Sequence, residues 1–424
     1  MSDNIRAAHE GEPPHRAKTM PSALDGVRIL DLTTVLMGPF ATQILGDMGA
    51  DVIKVESPSG DSARSIGPSR HPGMGASFLH INRNKRSIVI DLKSPAGRKA
   101  LLRMAAQADV VVTNIRPKAM ARLGLSHLAF KAVNPRIITA SLVGYGQDGP
   151  YADKPAYDDL IQGALAIPSL NAAVGDGTPR YVPLTMMDRG AALAAVGVLV
   201  AALFYRERSG EGQELEIPMF ESLAPLVLGE HMGGRTFRPA AGPIGYPRIL
   251  ARERQAYATS DGNICVLIYN DKQWENYFRL IGEPERFASD KRFADLGART
   301  CHASEICRML AAKIATRTTS QWLAAFEAAD IPAMPLHTVE SLLEDPHLID
   351  TGFFRQLEHP TEGAIQTFAP IGKWSVSPAR LRRHAPLLGE HSAELLREAG
   401  YSDDELEGLI RDGVTAGAHA ADCA

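Results

Sequence analysis

The 424-residue sequence has few cysteines and no long hydrophobic run. Its four cysteines, Cys265, Cys301, Cys307 and Cys423, form no CxxC pair, which argues against a disulfide framework and against a zinc site. The longest apolar run, residues 191–205, is shorter than the roughly 20 residues that a membrane helix needs, and the N-terminus has no apolar signal core. We therefore predict a soluble, cytoplasmic protein without a metal site or a membrane partner.

The sequence also lacks an excess of charge of either sign and several common motifs. Its 45 Lys+Arg and 49 Asp+Glu residues give a formal net charge of -4, so neither a basic nucleic-acid footprint nor an acidic tail dominates. The first strand-to-helix turn contains only Gly38 instead of a GxGxxG fingerprint, and no GxxxxGK[ST] or GxSxG motif occurs. These absences argue against a nucleic-acid partner, a nicotinamide cofactor, a P-loop and a Ser-His-Asp hydrolase.

What the sequence does contain is an alternation of short apolar strands and helices. The first unit runs from a strand at residues 27–33, through a break at Gly38-Pro39 and a helix at 41–49, to a strand at 51–56. Further strands are predicted at residues 86–92, 109–114 and 136–142. Short apolar strands between helices predict an α/β fold with a mostly parallel sheet covered on both faces.

Composition divides the second half of the chain. A long Ala-rich helix is predicted at about residues 189–208, and residues 231–249 are rich in Gly, Pro and Arg, as in a linker. A second unit of strand and helices extends to residue 330, and residues 331–348 are typical of a second crossing. Residues 1–22 are polar and without periodicity, which predicts a disordered lead-in.

Three aspartates stand where chemistry or a simple structural role could be found. Asp188 directly precedes the Ala-rich helix, where it would either cap the helix or use the helix amides to stabilise a developing charge. Asp158 precedes another predicted helix and has the same alternatives. Asp176 lies between two glycines, which is typical of a turn.

Basic residues cluster at predicted loops, and they would either bind a phosphate-bearing ligand or form a solvated face. They occur in residues 82–87 and 114–122, and at Arg64, Lys93 and Arg136.

Taken together, six strings resemble the class III coenzyme A transferases, of the formyl-CoA transferase and carnitine CoA-transferase type. They follow one another in the family's order from residue 24 to about residue 413, and they read LDGVRILDLTTVLMGPFATQILGDMGADVIKVE, NKRSIVIDLKSPAGR, ADVVVTNIRPKAMARLGL, NPRIITASLVGYGQDGP, RSGEGQELEIPMFES and APLLGEHSAELL.

The resemblance implies a Rossmann-like large domain built from both chain ends, a smaller α+β domain between two linkers, and an interlocked homodimer. With these boundaries the chain divides into the lead-in 1–22, the N-terminal part of the large domain 23–230, a linker 231–249, the small domain 250–330, a linker 331–352 and the C-terminal part of the large domain 353–424.

The resemblance also implies the chemistry. An aspartate of the family, matched here by Asp188, attacks an acyl-CoA thioester to form an aspartyl anhydride and then an aspartyl-CoA thioester, so that CoA moves from one acid to another. The partners would be an acyl-CoA and a carboxylic acid, and no cofactor is required because the CoA thioester is itself a substrate. Residues that match CoA-contacting or acyl-site positions are Leu36, Met37, Ile90, Asp91, Leu92, Lys93, Asn114, Ile115, Arg116, Arg122, Tyr157 and Asp158.

The sequence departs from the family pattern at several positions. Leu36 replaces a glutamine, Pro155 replaces a lysine, and Ser57 stands in place of an arginine for which Arg64 is the candidate substitute. The glycine-rich lid of formyl-CoA transferase is missing.

The region that replaces the lid and its approach contains Arg235, Arg238, Arg248, Arg252 and Arg254. These arginines would either favour a dicarboxylate acceptor or form interdomain or dimer salt bridges.

Two other functions stay open. A 2-methylacyl-CoA racemase has the same fold but uses a histidine where this chain has Tyr157, and a CoA-binding protein without turnover would need only the contact residues.

Overall fold

A computed structural model describes residues 21–416. The predicted lead-in therefore lies outside the described residues except for its last two positions, and Cys423 also lies outside them. Six parallel strands form the main sheet, which confirms the prediction of a mostly parallel sheet. The strands, which pair in the order β3-β2-β1-β4-β5-β6, are β1 (Arg28–Leu32), β2 (Asp51–Glu56), β3 (Lys85–Val89), β4 (Val110–Thr113), β5 (Ile138–Val143) and β6 (Glu214–Pro218).

Helices cover both faces of this sheet, as its apolar strands require. Those between residues 37 and 231 are α1 (Met37–Asp47), α2 (Ala76–Ile81), α3 (Pro95–Ala105), α4 (Pro117–Arg122), α5 (His127–Val133), α6 (Asp158–Ala164), α7 (Ile167–Val174), α8 (Met186–Ser209) and α9 (Met219–His231). One hydrophobic core packs α1, α6, α8 and α9 against one face, and a second packs α3, α4 and α5 against the other.

The chain then forms a smaller unit with its own core. A three-stranded antiparallel sheet consists of β7 (Tyr257–Ala258), β8 (Asn263–Val266) and β9 (Ala333–Pro335). Its helices are α10 (Asp271–Leu280), α11 (Arg286–Ser289), α12 (Leu296–Cys301), α13 (Ala303–Ile314) and α14 (Thr319–Ala328). Aromatic side chains dominate this core, among them Trp274, Phe278 and Trp322.

The C-terminal segment returns to the main sheet. After α15 (Val339–Leu343) and α16 (Pro346–Asp350), the antiparallel hairpin β10 (Phe354–His359) and β11 (Gly363–Phe368) leads to α17 (Ser392–Glu398) and α18 (Asp403–Arg411). Apolar residues of α17 and α18 join the core under the sheet, among them Leu395 and Leu406. Both ends of the described chain therefore build one α/β body.

The break predicted at Gly38-Pro39 is wrong, because α1 begins at Met37 and both residues belong to its first turn. A proline is tolerated there, since the first amides of a helix have no partner within the helix.

Several of the basic residues that were expected either to bind a ligand or to form a solvated face are instead buried inside the fold. Lys85 lies within β3, is wholly buried, and bonds to a carboxylate at 2.9 Å. Lys54 in β2, which the sequence did not single out, is buried in the same way and bonds to a carboxylate at 2.7 Å. A charge in this position is retained only when a partner compensates for the lost hydration. The buried or partly buried pairs are Lys54–Asp61, Lys85–Asp31, Arg64–Glu56, Arg83–Asp47 and Arg86–Asp51.

Helix α8 is longer than the apolar run counted from the sequence. By length and composition alone it could cross a membrane, which is weak evidence because the core helix of a soluble protein meets the same criterion. One face of α8, with Ala191, Ala195 and Leu199, is buried in the core, and its C-terminal end is tied to the sheet by an Arg206–Asp109 ion pair of 2.9 Å. Its opposite face exposes Leu193 and other apolar side chains.

Candidate active site

A cleft of about 380 Å³ opens at the carboxyl edge of the parallel sheet, beside β1 and β4. The strand order reverses between these two strands, and the loops that follow them diverge there, which is where open α/β sheets bind ligands. The loops β1–α1 and β4–α4 form one wall, and the segment before α6 and the start of α8 form the other. Lining residues include Thr34, Val35, Leu36, Met37, Asn114, Ile115, Arg116, Gln147, Lys154, Tyr157, Asp188 and Met219.

Asp188 lies in the first turn of α8, and its half-buried side chain lines this cleft. It is not the cap of the helix: Thr185 occupies the N-cap position and makes no side-chain capping bond. The capping alternative for Asp188 is therefore wrong, and its carboxylate is free to face the cleft.

Asp158 caps α8 instead, although 30 residues separate it from Asp188. Its buried Oδ1 accepts hydrogen bonds from the backbone amides of Met187 at 2.7 Å and Asp188 at 2.9 Å. Its Oδ2 accepts a bond of 2.6 Å from the side-chain amide of Gln162. The carboxylate is thus fixed by three donors behind Asp188, and the helix amides expected to stabilise a developing charge are already occupied.

The environment of Asp188 perturbs the ionisation of its carboxyl group. Burial and, to a smaller extent, the charge of Asp158 together raise the pKa of Asp188 to about 6, while Arg189 opposes both. At neutral pH Asp188 is still mainly ionised, but it is a more basic carboxylate than an exposed aspartate. Perturbed carboxylates of this kind are typical of catalytic sites.

The β1–α1 loop that forms one wall is held in a strained conformation. Val35 has a φ of 72°, which is rare for a β-branched residue. Its amide donates to Oδ1 of Asp61 at 3.0 Å, and Oδ2 of Asp61 accepts from the buried Lys54 at 2.7 Å. Asn114 pairs with both backbone groups of Thr34, at 3.1 Å and 3.0 Å. A buried ion pair and a side-chain amide together fix the shape of the cleft.

Seven of the residues singled out from the sequence line this cleft: Leu36, Met37, Asn114, Ile115, Arg116, Tyr157 and Asp188. Asp158 lies directly behind Asp188.

The other singled-out residues lie elsewhere. Ile90 is buried in the core under the sheet, and Leu92 packs against that core. Asp91 and the exposed Lys93 form a turn in which the amide of Lys93 donates to Oδ1 of Asp91 at 2.9 Å. Arg122 is exposed in the last turn of α4.

Lys154 and Gln147 also line the cleft, and no motif in the sequence singles them out. Lys154 stands one residue before Pro155, so a search that allowed a shift of one position would have found it. Its ammonium lies 3.7 Å from the centroid of the Tyr151 ring, which is a cation–π contact.

Arg64 does not have the ligand-binding role for which the sequence made it a candidate. Arg64 is buried, bonds to Glu56 at 2.7 Å and 2.8 Å and stacks on Phe78, so it does not substitute for the missing ligand-binding arginine.

The arginines between residues 235 and 254 do not gather at the Asp188 cleft, since none of them belongs to its lining in the described chain. Arg252 donates to the carbonyl oxygen of Gly175 at 2.7 Å, while Arg248 and Arg254 line a different cavity.

Within residues 21–416, no histidine lines the cleft and no cluster of His, Cys, Asp or Glu could hold a metal ion. Asp176 accepts from the amide of Thr178 at 2.9 Å and pairs with Arg180, so the turn interpretation is confirmed.

Curated relatives cover nearly the whole chain. The succinyl-CoA:glutarate CoA-transferase of Mus musculus is 32% identical over 421 residues, which covers 96% of this chain and 94% of the relative. The succinate–glutarate CoA-transferase of Agrobacterium fabrum is 33% identical and covers 88% and 95%. The formyl-CoA:oxalate CoA-transferase of Afipia carboxidovorans is also 33% identical and covers 93% and 98%.

Solved structures show the same architecture. A crystal structure of a mutant of Rv3272 from Mycobacterium tuberculosis matches with a TM-score of 0.77 and 28% identity, over 88% of this chain and 98% of that one. A CAIB/BAIF family protein from Brucella suis matches with a TM-score of 0.74 and 30% identity, over 89% and 100%. The model of CoA-transferase family III matches residues 24–392, and the chain therefore belongs to CoA-transferase family III.

Proposed function

We propose that this CoA-transferase moves CoA from an acyl-CoA donor to a free dicarboxylic acid, with Asp188 as the covalent nucleophile. The observation that carries the proposal is the pair of aspartates at the start of α8. Asp158 takes the capping role, and Asp188 is left half-buried at the cleft with its pKa raised to about 6. The acceptor class is supported by relatives that are named for glutarate and oxalate.

The reaction balances without a cofactor. An Oδ of Asp188 attacks the thioester carbonyl carbon, the carbon–sulfur bond breaks, and CoA leaves as a thiolate from an aspartyl anhydride. The thiolate then attacks the aspartyl carbonyl, which releases the donor acid and forms an aspartyl-CoA thioester. The acceptor carboxylate attacks that thioester, the carbon–sulfur bond breaks, and CoA thiolate leaves from a new anhydride. The thiolate then attacks the acceptor's carbonyl carbon in this anhydride, which gives the new acyl-CoA and restores the Asp188 carboxylate.

The remaining residues of the cleft position the substrate and stabilise the charge that develops during the reaction. Because Asp158 occupies the amides of Met187 and Asp188, the negative charge on the attacked carbonyl must find other donors. Lys154 lines the same cleft and carries such a donor, whereas the side-chain amide of Gln147 already donates to the carbonyl oxygens of Tyr145 and Ala152. We assign the CoA moiety to the wall formed by residues 34–37 and 114–116, and Tyr157 to the acyl end.

The chain is further proposed to act in the cytoplasm as an interlocked homodimer. Support comes from the exposed apolar side chains on the outer faces of α8 and α9, among them Leu193, Phe204 and Leu226. A surface of this kind is typical of a subunit interface. Sedimentation of the full chain at low concentration should give only the dimer, and a stable folded monomer would contradict the assembly.

Trapping of the covalent intermediate tests the mechanism. The enzyme is incubated with succinyl-CoA, quenched with hydroxylamine and digested, and the hydroxamate is expected on the peptide that contains Asp188. Label on the peptide of Asp158 or Asp176 would overturn the assignment of the nucleophile. Transfer to glutarate, oxalate and acetate, compared side by side, tests the preference for diacids.

A racemase would instead exchange the α-proton of a 2-methylacyl-CoA, and a binding protein would do neither reaction. The part of the cleft lining that the structure describes offers no histidine for such a proton transfer. An α-proton exchange assay run beside the transfer assay separates the three functions.

A further inference from the structure

The small unit contains a second cavity, of about 360 Å³, that shares no lining residue with the Asp188 cleft. It lies between β8, the start of α10, and helices α12 and α13. Its volume falls within the range of small-molecule sites, which begins at about 300 Å³.

Most of the wall of this cavity is apolar. Trp274 and Ile306 are buried residues of the small unit's core that also line the cavity, as do Ile268 and Leu310. Leu296 on α12 lines it as well and is partly exposed. A ligand that fills this space must therefore present an apolar body.

The polar part of the wall is cationic. Three arginines line the cavity, namely Arg248, Arg254 and Arg299, and no aspartate or glutamate does so among the residues described. Arg299 is nine-tenths buried and bonds through its terminal nitrogens to Asp271 at 2.6 Å and to the carbonyl of Phe293 at 3.3 Å, but its buried Nε has no hydrogen-bond partner.

The other two guanidinium groups have no carboxylate partner within residues 21–416. Arg248 is half-buried and lies 5.9 Å from the centroid of the Tyr269 ring, while Arg254 is exposed. The one acidic residue of this segment, Glu253, lies 3.7 Å from Arg308 instead. The mouth of an apolar cavity thus carries uncompensated positive charge.

The segment that supplies these arginines is anchored to the large unit. Between Arg248 and Arg254, the guanidinium of Arg252 donates to the carbonyl oxygen of Gly175 in the loop that precedes α8. One hydrogen bond thus ties the middle of the segment that carries Arg248 and Arg254 to the large unit.

We propose that this cavity is a binding site for a carboxylic acid with an apolar body, an aliphatic chain or an aromatic ring, whose carboxylate pairs with Arg248 and Arg254. A guanidinium binds a carboxylate through charge-assisted and often bidentate hydrogen bonds, while the hydrophobic effect retains the chain. The site is independent of the proposed transfer reaction, because binding requires neither acyl-CoA nor Asp188.

Binding of octanoate to the full-length protein tests the site. Titration calorimetry should give one site per chain, and quenching of tryptophan fluorescence should report the approach to Trp274. Arg248→Met and Arg254→Met should each weaken binding by about 10-fold or more, the usual value of a charged hydrogen bond. Arg279→Met is the matched control, since this exposed arginine on α10 does not line the cavity, and it should leave binding unchanged.

Two further probes separate the contribution of the carboxylate from that of the apolar chain. 1-Octanol lacks the charge and should bind at least about 10-fold more weakly than octanoate. Succinate lacks the apolar chain and should not bind in this cavity. Thermal unfolding verifies that each variant is folded, and Arg254→Met keeps the test valid if Arg248→Met is unstable, because Arg254 is exposed. Absence of octanoate binding at millimolar concentration, equal binding of 1-octanol, or equal effects of Arg254→Met and Arg279→Met would each overturn the proposal.

Discussion

Replacing Asp188 by asparagine should abolish turnover and at the same time stabilise the protein at alkaline pH. In the folded protein, burial and the neighbouring charge of Asp158 raise the pKa of Asp188 from 3.8 to about 6. Because this pKa is raised on folding, the folded protein binds the proton more tightly than the unfolded chain does. The folded protein therefore loses stability as the pH rises from 3.8 to about 6. An amide does not ionise and is free of this loss.

The magnitude follows from the two pKa values. The difference between 3.8 and about 6 corresponds to about 3 kcal/mol above pH 7, at 1.36 kcal/mol per pKa unit. At pH 5 about half of this penalty is present, because Asp188 is then largely protonated only in the folded state. The gain in unfolding free energy on Asp188→Asn should therefore be about twice as large at pH 8 as at pH 5, with 3 kcal/mol as its approximate upper bound.

Denaturant titration of both proteins at the two pH values, with transfer of CoA from succinyl-CoA as the activity assay, measures both effects. Asp176→Asn is the matched control: Asp176 is exposed in a turn that accepts either residue, so activity and stability should hardly change. Turnover of Asp188→Asn at the wild-type rate, or a loss of stability equal at both pH values, would refute the reasoning. A capping residue would behave differently, because asparagine caps a helix as well as aspartate and would leave stability nearly unchanged at both pH values.

Three further changes test the surroundings of the cleft. The kcat/KM for transfer should rise with pH around an apparent pKa of about 6. Asp158→Asn should lower this midpoint, since it removes the charge beside Asp188 but not the burial of Asp188. An unchanged midpoint would show that the charge of Asp158 does not act on Asp188. Asp61→Asn leaves Lys54 buried without its counter-ion and should lower the unfolding free energy, measured by urea titration, by about 3 to 5 kcal/mol. The double variant with Lys54→Met should recover much of this loss. Equal losses in the single and the double variant would mean that the pair is not coupled. Val35→Gly should raise the unfolding free energy by about 1 kcal/mol, because glycine adopts a φ of 72° without strain. An unfolding free energy below that of the wild type would mean that the contacts of the Val35 side chain outweigh the strain.

The main sheet could be predicted because buried parallel strands leave a plain signal, a short apolar run between helices. The ends of the strands were less accurate: the strand predicted at residues 86–92 is observed at Lys85–Val89. Its last predicted residues form the turn before α3, where an apolar residue such as Ile90 is still buried. A hydrophobic residue indicates burial, and burial continues beyond the last residue that pairs with a neighbouring strand.

The basic residues were misjudged for a related reason. Lys85 belongs to a stretch of polar residues that is typical of a loop, yet its ammonium is wholly buried between Asp31, the carbonyl oxygen of Pro39 and Asn82. Its carboxylate partner lies 54 residues away on another strand. A local pattern cannot indicate that a charge is compensated by so distant a group, so the sequence offered only a ligand-binding or a solvated role for this residue.

The two aspartates of the active site illustrate the same limit in the chemistry. By local pattern alone, Asp158 and Asp188 are equivalent, because each stands at the start of a predicted helix and either could be a cap; only the family resemblance singles out Asp188 as the nucleophile. In three dimensions the roles divide, since Asp158 reaches across to cap the helix that carries Asp188. A cap supplied from another element removes the need for Asp188 to bond its own helix, and it brings a second negative charge close enough to raise the pKa of Asp188. One residue thus accounts for both properties that a carboxylate nucleophile requires, a free oxygen and a raised basicity, and neither property could be inferred until the two helices were placed together.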